Sequence, residues 1–240
     1  MEAIWEDRQK GGYMEEAQVL KKIKEDHVIA IIRGVEKEYI IPTVQALKDG
    51  GIKAVEITFD HTSPNGIEET AEKIRTLRNT FKDGMNIGAG TVLSCKEVEI
   101  AAESGADYMI SPDTNVAVIK RTKELGKVSI PGALTPSEIC VAYSSGADIV
   151  KIFPAGNLGL GYIRSILAPL KHIPMCAVGG ITPESMEQLL GIGVQYFGVG
   201  GKLISMDAIH GENFQKITDT AKEYTSVLEK TGKRGQLWAL

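Results

Sequence analysis

Metal ligands, disulfide partners and membrane spans are scarce in this chain. Its 240 residues include only three cysteines, Cys95, Cys140 and Cys176. They are odd in number, widely spaced and form no CxxC pair. That usage reads as reduced thiols of a cytoplasmic protein, not as a disulfide framework or a zinc site. The four histidines, His27, His61, His172 and His210, are scattered, with no HxH or HExxH pairing. No metal and no cofactor are therefore expected. Apolar runs stay far below the ~20 residues that a membrane span needs. The opening "MEAIWEDRQKGGYMEE" is acidic and mixed, unlike a signal peptide. The net charge is −4, and no basic run or basic amphipathic helix is present. Nucleic acid and membrane surfaces are thus not expected partners. Serine and cysteine nucleophile motifs are missing. "IIRGVEKE", after the first strand-like run, is not the GxGxxG of a dinucleotide fold. Trp5 and Trp238 lie near the two ends and read as packing or interface residues.

What is present is a repeating pattern. Hydrophobic residues make up 43% of the chain, enough for a sizeable core. From residue 27 onward a short apolar, often β-branched run is followed by Gly, Pro, Ser or Thr, then by a charged stretch with helical spacing. The runs are "HVIAIIRG", "KAVEITFD", "MNIGAGTV", "DYMISPD", "KVSIPGA", "DIVKIFPA", "IPMCAVGG" and "YFGVGG". Helix-like stretches such as "EETAEKIRTLRN", "VAVIKRTKELG" and "PESMEQLLGIG" separate them. Strands alternating with helices imply an α/β protein with a parallel sheet. About eight such units in one domain favour a (β/α)8 TIM barrel over an open doubly wound sheet. "ESGADYMISPD" and "SSGADIVKIFPA" echo each other, and "KDGGIKAVEITF" is a looser copy. The shared glycine suits a left-handed helix cap. No linker divides the chain, so residues 1–240 read as a single domain: a helical extension over 1–25, the barrel over 27–210, and a C-terminal helix and tail over 211–240. In the extension, "EEAQVLKKIKE" is spaced to lay Ala17, Leu20 and Ile23 or the Lys24 stem on one side.

In such a barrel, chemistry sits at the C-terminal ends of the strands. Two charges interrupt apolar strands. In "GADIVKIFPAG", Ile149, Val150, Ile152 and Phe153 make the run expected of a buried strand, yet Lys151 lies within it. In "VEITF", Glu56 does the same. They form either a structural ion pair or a nucleophilic amine beside a carboxylate base. Desolvation disfavours the charged form of a lysine and leaves free amine to attack a carbonyl. Arg33 ends the first run, Gly90 and Thr91 end the third, and Pro112 ends the fourth. Gly179–Gly180 and Gly200–Gly201 end the last two. Backbone N–H groups at such turns can hold an anion, while glycine also simply permits a tight turn. Thr182, Pro183 and Glu184 make a good helix start, as does Ser94.

Taken in order, "VIAIIRG", "VEITF", "GAGTVL", "ISPDTN", "IPGALTPSE", "VKIFPAG", "VGGITPE" and "GVGGKL" resemble the 2-keto-3-deoxy-6-phosphogluconate / 4-hydroxy-2-oxoglutarate aldolases. The likeness runs over about residues 20 to 210. It implies a (β/α)8 barrel and a metal-independent class I aldolase, a carbon–carbon lyase acting on a small keto acid, usually as a homotrimer. By position it implies that Lys151 is the Schiff-base lysine and Glu56 the catalytic carboxylate. Thr91 would line the keto-acid site and Arg33 would bind a substrate anion. Three positions depart from the common pattern. Asp60 stands where many members have Arg, Val178 where many have Thr, and Gly201 where many have Ser. Val before Gly-Gly also occurs in relatives acting on the galactonate epimer. That epimer and a non-phosphorylated sugar acid thus stand beside the phosphogluconate-type substrate. Outside the family, the residues also admit another phosphate-binding barrel, such as an epimerase or a thiamin-phosphate-synthase-like enzyme, or a barrel kept for ligand binding or assembly.

Overall fold

The structure, a computed structural model, describes residues 15–232. Trp5, Trp238 and the "GKRGQLWAL" tail from Lys233 onward lie outside the described residues, as does the first part of the N-terminal extension. Helix α1 (Glu16–Asp26) leads into strand β1 (Val28–Ile32). Then follow α2 (Lys37–Asp49), β2 (Ala54–Thr58), α3 (Gly66–Phe81), β3 (Asn86–Gly90), α4 (Cys95–Glu103), β4 (Tyr108–Ile110) and α5 (Val116–Glu124). The second half runs β5 (Val128–Ile130), β6 (Gly132–Ala133), α6 (Pro136–Ser144), β7 (Val150–Ile152), α7 (Ala155–Leu170), β8 (Met175–Val178), α8 (Pro183–Gly191) and β9 (Tyr196–Val199). Helices α9 (Met206–His210) and α10 (Phe214–Lys230) complete it.

All strand pairings are parallel, in the order β5-β4-β3-β2-β1-β9-β8-β7-β6. The two outermost strands, β5 and β6, are one chain segment broken only at Pro131. Proline has no N–H to offer a ladder, which is why the fifth run splits there. Its first piece pairs with β4 and its second with β7, where the Lys151 N–H donates to the Pro131 carbonyl at 2.8 Å. The ring is thereby an eight-unit barrel, as the alternation of runs predicts.

Two apolar layers follow. Residues facing outward pack under the helices. Those facing inward, including Ile29, Ala54, Tyr108, Ile130, Cys176 and Val178, form a separate cluster inside the ring. Val19 and Ile23 of α1 join that inner cluster. The extra helix therefore closes the end of the barrel opposite the strand C-termini. Its buried stripe is Val19 and Ile23, an i,i+4 pair, while Ala17 is exposed. Of the expected face, Ile23 is buried and Leu20 packs against the inner cluster, while Ala17 is corrected: Val19 takes its place in the buried stripe. A second correction concerns Phe153. β7 ends at Ile152, and Phe153 turns out at the rim, 38% exposed.

The echoed Gly-Ala-Asp motifs carry one device twice. Gly105 and Gly146 adopt φ of +97° and +107°. Asp107 then accepts the Ile87 N–H and pairs with Arg78 of α3. Asp148 accepts the Ser129 N–H and pairs with Lys123 of α5. Each aspartate ties the start of one strand to its neighbour and to a helix. Lys123 also pairs with Glu16, anchoring α1. At the seam, α10 packs on α2 and α8. There the Tyr224 hydroxyl donates to the Ile181 carbonyl at 2.9 Å.

Candidate active site

Glu56 is the third residue of β2 and Lys151 the second of β7. Both are buried, at 1% and 6% exposure. A parallel barrel alternates inward and outward residues, and both fall on the inward phase. Glu56 shares its level with Ile31 of β1 and Gly88 of β3, and Lys151 with Gly132 of β6 and Cys176 of β8.

The space that Glu56 occupies is made by glycine. A Cβ on Gly90 would lie 1.8 Å from Glu56 Oε1 and 2.4 Å from its Cδ. Gly90, expected to offer a backbone amide, therefore also clears room for the carboxylate. Glu56 Oε2 is buried without a hydrogen-bond partner. Burial pushes the Glu56 pKa up, and the charges of Lys151 and Arg33 pull it part of the way back. A carboxyl of this kind is poised to exchange a proton. Cys176, facing the same interior, has its thiol pushed up to about 12 by desolvation. It is a neutral wall beside the lysine. Lys151 Nζ lies 5.0 Å from the centroid of the Phe153 ring, which stands over it at the rim. Sequence reasoning did not place Phe153 and Cys176 beside Lys151. Only the strand register shows which apolar residues share a level with the two charges.

Arg33 and Thr91 meet at the mouth, where an Arg33 guanidinium nitrogen donates to Thr91 Oγ1 at 3.3 Å. Thr91 holds φ of +56°, a left-handed conformation that a β-branched residue rarely adopts. Such strain concentrates at functional sites. Pro112 sits at the end of β4, where its carbonyl closely approaches Gly132. Gly179 and Gly180, at φ of +99° and +72°, form the turn after β8, and Gly156 N–H donates to the Gly179 carbonyl at 2.8 Å. Thr182 then caps α8 in a reciprocal capping box with Ser185. Gly200 and Gly201 follow β9, and the Gly201 position has open space around it. Arg33, Gly90, Thr91, Pro112, Gly179, Gly180, Gly200 and Gly201 thus lie at or just past the C-terminal ends of barrel strands, and Glu56 and Lys151 lie mid-strand below them. Asp60 accepts from the Thr62 N–H and hydroxyl, so it staples its own loop. Among the described residues, no group of three His, Cys, Asp or Glu is placed to hold a metal ion. No described helix is long and apolar enough to cross a membrane.

A buried amine and a buried carboxyl face one barrel interior, an arrangement that can serve imine chemistry on a keto acid. The comparisons with known proteins agree. The family described as "Aldolase: KDPG and KHG aldolase" matches residues 19–220. This chain belongs to the KDPG/KHG aldolase family. It is 34% identical to the 2-dehydro-3-deoxy-6-phosphogalactonate aldolase of Escherichia coli (strain K12), over 73% of this chain and 83% of that one. It is 28% identical to the 2-dehydro-3-deoxy-phosphogluconate aldolase of Haemophilus influenzae, over 88% of this chain and 97% of that one. A crystal structure of the Legionella pneumophila KDPG aldolase, with pyruvate captured at low pH as a covalent carbinolamine, superposes with a TM-score of 0.75 at 27% identity. The match covers 87% of this chain and 97% of that one. The chain is therefore an aldolase, a carbon–carbon lyase.

Proposed function

We propose that the chain cleaves a 2-keto-3-deoxy-6-phospho sugar acid to pyruvate and glyceraldehyde 3-phosphate, with Lys151 as the imine-forming nucleophile. Lys151 Nζ attacks the C2 ketone, and loss of water leaves a protonated imine. Glu56 takes the C4 hydroxyl proton. The C3–C4 electrons then flow into the imine, the aldehyde departs and an enamine of pyruvate remains. Glu56 returns its proton to C3, and water hydrolyses the imine to free Lys151 and pyruvate. Positioned proton transfer of this kind contributes ~10²–10⁴-fold. Arg33 and Thr91 hold the carboxylate, with Pro112 at the same rim. The Gly179–Gly180 and Gly200–Gly201 turns take the distal phosphate. 4-Hydroxy-2-oxoglutarate, which yields pyruvate and glyoxylate by the same steps, is the smaller candidate.

The observation that carries this reading is the burial of Lys151 and Glu56 within one interior, close enough for the lysine charge to act on the carboxyl. Among the sugar acids, the galactonate epimer is favoured by Val178. It stands directly before the Gly179–Gly180 turn, and valine at that place also occurs in relatives acting on the galactonate epimer. The relative named for the phosphogalactonate substrate supports the same choice. A homotrimer in the cytoplasm completes the reading. Exposed Leu134, Val141 and Tyr162 supply an apolar side for it, and the Tyr162 hydroxyl donates to the Leu134 carbonyl at 2.8 Å.

The test is intact mass after pyruvate and sodium borohydride. One reduced adduct mapping to Lys151, absent from Lys151→Ala together with turnover, is the expected result. Turnover in Lys151→Ala would remove the covalent scheme. The ratio of kcat/KM for the two C4 epimers then assigns the sugar acid.

A further inference from the structure

Strand β3 presents Asn86, Gly88 and Gly90 to the interior, and the two glycines form a notch. A Cβ on Gly88 would lie 2.0–2.5 Å from three atoms of the Tyr108 ring. A Cβ on Gly90 would lie inside the Glu56 side chain. Glu56, Gly88 and Tyr108 share one rung of β2, β3 and β4; the Tyr108 ring lies across Gly88, while the Glu56 side chain leans along β3 to Gly90, the next inward position. Those two inward positions of β3 are about 6.6 Å apart along the strand. Tyr108 is completely buried, and its hydroxyl donates to the carbonyl of Val55, the residue before Glu56, at 2.6 Å. The ring thus lies under the carboxyl, and the hydroxyl grips the strand that carries it.

We propose that Tyr108 is a positioning residue for Glu56, a dry floor that holds the carboxyl unhydrated and in place for the C4 proton. The proposal rests on the reading of Glu56 as the base. Four groups act electrostatically on Glu56, and Asp107 and Asp26 act on Tyr108. Lys151 comes from β7, Arg33 from the end of β1, Cys176 from β8 and Tyr108 from β4. The phenol is itself held neutral by burial, so Tyr108 offers no competing charge. With its hydrogen committed to Val55, it also leaves Glu56 Oε2 unpartnered. Shrinking the ring opens space for water beside the carboxyl. Hydration lowers the pKa of a buried carboxyl, because it undoes the desolvation that raised it.

The experiment measures kcat, KM, the acid limb of kcat/KM and borohydride trapping of pyruvate for the parent, Tyr108→Leu and Tyr108→Phe. Leu empties the space under Glu56, and Phe keeps the ring and loses only the Val55 tie. In Tyr108→Leu, trapping should stay within about twofold of the parent, kcat should fall at least tenfold, and the acid limb should move to lower pH. Tyr108→Phe should keep the parental limb and recover most of kcat. A Leu variant with parental kcat and limb overturns the proposal, as does a limb that moves equally in both variants. If Leu fails to fold, Tyr108→Met, unbranched at Cγ and able to adapt its shape, is measured against the same outcomes. Failure of trapping in the parent would instead overturn the role of Lys151, so the two failures are distinguishable.

Discussion

Gly90→Ala is the sharpest probe of how the site is built. The added methyl would sit 1.8 Å from Glu56 Oε1, where ordinary contact begins near 3.4 Å, so the carboxyl must retreat by about 1.6 Å. Its Cγ and Cδ, each 2.4 Å from the new atom, must move with it. The surroundings cannot yield easily, because Glu56 stands on a fully buried strand between Ile31 and Gly88. Overpacking of this kind costs about 1–3 kcal/mol, which at this chain length lowers the melting temperature by roughly 2–12 °C. The effect on catalysis should be larger. A base misplaced by about 1 Å costs on the order of 10²-fold in rate. Lys151 lies on β7, on the other side of the ring, and should still form its imine. The assay couples pyruvate release to lactate dehydrogenase and runs beside borohydride trapping. The expected result is normal trapping, kcat reduced about 100-fold and a modestly lower melting temperature. Parental kcat would refute the argument, because it would mean that the carboxyl does not need the space Gly90 leaves.

Two further outcomes follow from the same geometry. Glu56→Gln should abolish most turnover yet be more stable than the parent at neutral pH. Because the folded-state pKa of Glu56 is raised, its contribution to stability is whole below its ordinary value of 4.5. That contribution is lost as the pH climbs through the raised folded-state value. The thermal advantage of Gln should therefore shrink on acidification toward that ordinary value, and an advantage independent of pH would count against the assignment. For assembly, light scattering should give three times the 25.9 kDa chain mass, and a monomeric mass would discard the trimer.

The sequence alone determined the architecture and which buried charges are candidates for the chemistry. Eight runs of β-branched and apolar residues, each closed by Gly, Pro, Ser or Thr, are enough to specify a parallel barrel, because that pattern is a local property. Lys151 and Glu56 were legible for the same reason, since a charge inside an apolar run is conspicuous wherever it lies. The capping residues Ser94 and Thr182 were read correctly because a helix cap involves neighbours in the chain. Only the tertiary structure decided what depends on register between strands. That Gly88 passes the Tyr108 ring, that Gly90 makes room for Glu56, and that Cys176 sits level with Lys151 all join residues 20 or more positions apart. A shift of one residue in any pairing would turn these side chains to the opposite face of the sheet. The phase of α1 and the exposure of Phe153 belong to the same class. The phase of α1 is set by the inner cluster that Val19 and Ile23 join, and Phe153 by where β7 ends, neither of which local spacing encodes.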